Sequence, residues 1–183
     1  MTGDITQIIK QFENLERKQI KLFDLISALA PETYYQQHTP NSWSIAQTAN
    51  HLYLSEKGSL AYLTKKIKYP DTIPAFQIKS WLAVMMLKFS FYSPIRFKAP
   101  PAINMWAEQP LLSQTEIIEK WKANRKALID FIKSNHPLFG SHLVYKHPFV
   151  GRMTMYQMLI FFNDHMNRHL KQIERIRKQI KQE

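Results

Sequence analysis

The stretch MYQMLIFFNDHMNRHLKQIERIRKQI, residues 155–180, decides the fold class. Met155, Leu159, Phe162, Met166, His169, Ile173, Ile176 and Ile180 recur at alternating steps of four and three. That is the period of one face of an α-helix, so the stretch predicts a long helix packed lengthwise against others. Just before it, Thr154 and Gln157 have capping-box spacing, in which two side chains satisfy orphan backbone donors at the helix start.

The same two signals recur upstream. Ile5, Ile8, Phe12, Leu15, Gln19, Leu22, Ile26 and Leu29 form a first stripe, closed by Pro31. A second helix starts at Ser44 with Gln47 as its box partner, carries Ile45, Ala49, Leu52, Glu56, Leu60, Leu63 and Ile67, and is broken by Tyr69-Pro70-Asp71. A third starts at Ser113 with Glu116 and runs through Ile117, Trp121, Leu128 and Phe131 to about Asn135, followed by a loop from His136 to Arg152. Residues 71–112 differ in texture, being proline-punctuated and rich in aromatics and methionine, with a short helix expected around Lys79 to Phe89. Four amphipathic helices cannot hide their stripes singly, so the expectation is an all-α four-helix bundle with a long crossover between helices 2 and 3, one domain over residues 1–183.

Bulk properties narrow the function. With 183 residues and 45% hydrophobic content the chain can bury one core. It has no cysteine, which excludes disulfides, thiolate metal sites and nucleophilic thiols, so any metal must be held by histidine, carboxylate or water. The net charge is +11, but the cations are spread along the chain and dense only from Lys171 to Lys181, where they suit a helix C-terminus. This distribution argues against a nucleic-acid partner. The N-terminus lacks the basic and apolar pattern of a secretory leader, which predicts a cytoplasmic location. The apolar run from Trp81 to Leu87 is far short of the roughly 20 residues of a membrane span.

Three of the seven histidines stand out by position. His169 lies in the apolar seam of the last helix and His165 one turn before it, so two imidazoles can reach one ion. His51, on the second helix, can point into the same interior. Three neutral imidazoles leave a coordination position open for water or substrate. The bland alternative is a set of hydrogen-bonded core histidines. A zinc-peptidase pattern is missing, because no acid follows the first histidine in His165-Met-Asn-Arg-His169.

The stretch from Asn41 through Trp43, Ser44 and His51 to Leu52, the segment from Phe149 to Thr154, and His165-Met-Asn-Arg-His169-Leu-Lys-Gln172-Ile resemble the DinB/YfiT-like superfamily of metal-dependent enzymes. There a tryptophan and serine precede the second helix, one histidine follows on it, and two more come from the fourth. The resemblance implies a four-helix bundle, a site for one divalent metal ion such as zinc or nickel at His51, His165 and His169, and frequently a homodimer. Similar members include presumed hydrolases and thiol-dependent transferases and isomerases, which points to a small-molecule substrate and to a low-molecular-weight thiol as one option.

Around that site, Gln47 and Ser55 lie one turn either side of His51, and Gln172 three residues past His169. Glu56 occupies a stripe position where an unpaired carboxylate would be costly. It is the candidate catalytic residue, as general base, hydrogen-bond acceptor or fourth ligand, unless it is paired with a basic residue. Asn163 and Asp164 should face away, about 200 and 100 degrees round the helix from His165. The crossover, with Trp81, Met85, Met86, Phe89, Tyr92, Trp106 and the connection from Lys98, is either a pocket wall or a cover for one end of the bundle. His38, His136, His142 and His147 receive no role, although His142 and His147 could shape the entrance. The competing function is a non-catalytic bundle that binds a partner or an anionic surface through Lys171, Arg175, Lys178 and Arg168 of its basic C-terminal helix.

Overall fold

A computed structural model describes residues 3–40, 42–92, 110–148 and 150–180; Asn41, residues 98–101, Trp106, Phe149 and Lys181 lie outside them, as does the side chain of Tyr92. The capping boxes anticipated at Ser44, Ser113 and Thr154 are formed. A fourth, Asp4 with Gln7, opens the first helix. The helices are α1 (Ile5–Ser27), a single turn α2 (Pro31–Tyr35), α3 (Ile45–Lys66), α4 (Ile78–Tyr92), α5 (Gln114–Phe139) and α6 (Met155–Ile180). Helices α1, α3, α5 and α6 are the four of the bundle. α1 and α3 each pack against both α5 and α6, so that α1 faces α3 across one diagonal.

Burial follows the stripes. Along α6 every stripe residue from Met155 to Ile176 is buried, against Ile8, Leu15 and Leu22 of α1, Leu52 and Leu63 of α3, and Trp121 and Leu128 of α5. Each such aliphatic side chain stabilises the fold by about 1.5–3 kcal/mol relative to exposure. Ile5 is the exception: it belongs to the stripe by spacing but remains exposed at the end of α1.

Three local features differ from the expectation. Pro31 ends α1 as anticipated but also starts α2, because proline suits the first helical position, where no N–H is needed. α5 continues through Pro137 to Phe139; the lost amide bond falls in the last turn, where it interrupts least. The segment read as a loop contains a hairpin, β1 (Tyr145–His147) and β2 (Gly151–Met153), paired antiparallel as Tyr145 with Met153 and His147 with Gly151. Gly151 sits at φ +85°, where a side chain would be strained.

The crossover is tied down at its start. Phe76 and Leu143 donate backbone hydrogen bonds to Ser141 and Pro74, and α4 then lies on α6 and β2. Asn163, as expected, turns away from His165 towards α1, donating to the Gln11 carbonyl at 2.9 Å and accepting from Lys18 Nζ at 2.7 Å. Asp164 is buried on the same side, where its charge acts on Lys18.

Candidate metal centre

The N-cap at Ser44 and the continuous stripe of α6 set the phase of two neighbouring helices, and that phase brings three imidazoles to one point. His51 Nε2 lies 3.2 Å from His165 Nε2, which lies 3.0 Å from His169 Nε2. Ligand atoms of all three fall within 4.8 Å of one another. Two nitrogens at zinc–nitrogen distances of about 2.1 Å in a tetrahedron would stand about 3.4 Å apart, so the spacing fits one small divalent ion.

The donor chemistry fits as well. Burial pushes His51 down to about 4 and His169 down to about 3 from the usual 6.5. Burial, then the neighbouring His169 and His51, holds His165 well below its ordinary value. All three are neutral at pH 7, the state that offers a lone pair to a metal. His169 Nδ1 donates to Gln172 Oε1 at 2.9 Å, which leaves its Nε2 lone pair directed into the cluster. Gln172 Nε2 in turn donates to Thr48 Oγ1 at 3.4 Å, and the Thr48 hydroxyl donates to the Ser44 carbonyl at 2.9 Å. A relay thus runs from the start of α3 to a ring on α6. Such outer-shell hydrogen bonds select the tautomer and orientation of ligating histidines.

Aromatic rings wall the cluster. Trp43 stands 5.3 Å from the His51 ring, and Phe161 stacks on His165 at 5.2 Å with planes 16° apart. Behind Phe161, at 4.6 Å, is His147 of the hairpin, lowered to about 4 by burial. Spacing in the sequence carried no sign of this neighbour, since the hairpin that places it is too short to read. His51 and His169 are buried, and His165 keeps partial exposure.

Glu56 belongs elsewhere. Five residues beyond His51, it points about 140 degrees round α3. Its Oε1 accepts from Arg125 Nη2 at 2.7 Å, and its Oε2 accepts from Arg125 Nε and Trp121 Nε1, both at 2.9 Å. The pairing with a basic residue that the sequence left open is the arrangement formed, with both oxygens engaged in a buried, two-pronged ion pair. Arg125 was legible in principle: Trp121, Arg125 and Leu128 continue the four-three stripe of α5, so two helices each carried one charge of opposite sign on an apolar face. Gln47 is likewise committed, closing the cap with Ser44 at 2.8 Å and accepting from Gln37 at 3.1 Å. Ser55 accepts at its carbonyl from Ser59 Oγ at 2.7 Å.

The family model described as the DinB superfamily matches residues 14–173, a span that includes all three histidines. Among solved structures, YfiT from Bacillus subtilis, described as a probable metal-dependent hydrolase with an unusual four-helix bundle topology, aligns with a TM-score of 0.59 at 13% identity. The alignment covers 97% of this chain and 90% of that one, a likeness of fold. No curated protein matches the chain.

Proposed function

Because the chain belongs to the DinB superfamily, we propose that His51, His165 and His169 hold one divalent metal ion, zinc or nickel, in a metal-dependent enzyme acting on a small molecule. The observation that carries this reading is the convergence of three neutral Nε2 atoms with no acid among them. His165 Nε2 stands 3.2 and 3.0 Å from the other two, and two lone pairs at such a distance repel unless a cation or a shared proton lies between them.

A bound divalent ion supplies Lewis acidity, polarising a substrate oxygen or lowering the pKa of water or a thiol. The chain's own contribution is to keep three nitrogens unprotonated, to fix the His169 ring through Gln172, and to exclude water with Trp43 and Phe161. The reaction is hydrolysis or transfer of a low-molecular-weight thiol; the description of YfiT favours hydrolysis. The protein is a homodimer in this reading, checked by sedimentation.

The test is elemental analysis of the untagged protein beside a His165→Ala, His169→Ala double variant that still folds. About one ion per chain, lost in the variant, is expected; no ion even after metal addition sinks the proposal.

One observation favours a second reading. Lys171, Arg175 and Lys178 are exposed along one stripe of α6, as docking on an anionic surface or partner requires. Binding through that stripe would persist in the double histidine variant and weaken steeply between about 50 and 200 mM salt if it were generic electrostatics.

A further inference from the structure

We propose that the outward face of α4 is a docking surface for an anionic lipid bilayer, on which the helix lies flat. Ile78, Leu82, Met85, Met86 and Phe89 are 61, 54, 44, 73 and 79% exposed. At about 100 degrees per residue they fall within one arc of about 100 degrees, while the buried Ser80 and Val84 lie on the opposite side. A helix on a globular surface ordinarily turns its apolar side inward. α4 is apolar on both sides, and the side away from α6 presents five large side chains to water.

The charges beside this stripe define its partner. Lys79 and Lys88 are exposed, and helical geometry sets them about 100 degrees to one side and 80 degrees to the other of Ile78, one on each shoulder of the stripe. No acidic residue occurs from Thr72 to Tyr92. An apolar strip with lysines on both shoulders is the pattern of a helix lying at a membrane interface, with lysine stems along the acyl boundary and ammonium groups among the headgroups.

Fifteen residues span about 22 Å, so the helix cannot cross the roughly 30 Å hydrocarbon core. Among the described residues no helix is long and apolar enough to do so. A second copy fits the face less well: it would oppose two lysine-flanked stripes, on chains each carrying +11, with no acid in either stripe to pair them. A nucleic acid would match the lysines and leave the apolar side chains unused.

The experiment is co-sedimentation of the full chain with phosphatidylcholine vesicles, with and without phosphatidylserine, at physiological salt. Binding to the anionic vesicles alone is expected. Met86→Glu with Phe89→Glu should abolish it, and Lys79→Ala or Lys88→Ala should each weaken it about fivefold. These side chains are exposed, and circular dichroism verifies that the variants fold. No binding of the parent chain, or undiminished binding of the Met86→Glu, Phe89→Glu variant, overturns the proposal. So does binding abolished only by removing Lys171, Arg175 and Lys178, or a parent dimer that the α4 variant converts to a monomer in the absence of vesicle binding.

Discussion

Helix α3 carries two buried polar groups five residues apart, and they are built on opposite principles. Glu56 meets a guanidinium and an indole N–H, so each of its oxygens is matched by donors and its charge is balanced. His51 meets two more histidines, so neutral bases face neutral bases at 3.0 and 3.2 Å. The first group is complete and ties α3 to α5. The second gathers nitrogen donors that one small cation would match. A residue's burial therefore says little about function until its partners are counted by sign.

Acid should separate the two groups most strongly. In the metal-free protein the folded-state values of His51 and His169 lie near 4 and 3, below the 6.5 of the unfolded chain. Between those limits the unfolded state binds protons that the native state refuses, so stability is fully present above pH 6.5 and is lost as pH falls. Each histidine contributes a slope of about 1.4 kcal/mol per pH unit, and three together about 4. Urea unfolding from pH 7 to 5 should show this loss, and His165→Phe should flatten it by about one proton. A flat profile would mean that the cluster is already hydrated and charged.

Glu56→Gln should destabilise by about 3–5 kcal/mol, because it leaves Arg125 buried beside no countercharge. Metal uptake per folded molecule should be unchanged. Replacing both partners, Glu56→Leu with Arg125→Met, should recover part of the loss. A Glu56→Gln protein of normal stability with no activity would reverse the contrast and return the carboxylate to the chemistry. Zinc at 100 times its dissociation constant should add about 2.7 kcal/mol to the parent chain and nothing to His165→Ala, read as a shift in thermal midpoint.

The same sign-counting explains what could be read before the structure. Stripe phase and capping boxes act within one helix, so α1, α3, α5 and α6, and the caps at Ser44, Ser113 and Thr154, were all legible. The convergence of His51 with His165 and His169 depends on how two helices pack, and the sequence suggested it through the one-turn spacing of His165 and His169, the interruption of an apolar seam by His169, and the family resemblance that added His51. The Asp4 and Gln7 box was legible by the rule that located the others. The hairpin was not, since three-residue strands are too short to show alternation, so His147 could be named beside the entrance but not placed against Phe161. That Glu56 could be paired with a basic residue was legible, but its partner Arg125 on α5 was not named, because the two stripes were not set side by side.

The finest distinction concerns how far the histidine group is prepared for a metal ion. Gln172 holds His169 in the tautomer that presents Nε2, and Thr48 holds Gln172, so the effect should decline along the relay. Gln172→Leu should weaken zinc binding about 10–100-fold in a chelator competition while stability changes little. Thr48→Val should weaken it less, since it acts through one further bond of 3.4 Å. Gln172→Glu should retain or tighten binding, because a carboxylate accepts more strongly from Nδ1. The decisive readout is the metal-free protein: nitrogen NMR should find His169 protonated at Nδ1 in the parent and mixed between nitrogens in Gln172→Leu. If the tautomer does not move while affinity falls, Gln172 acts by packing, and the ring is oriented by the helix alone.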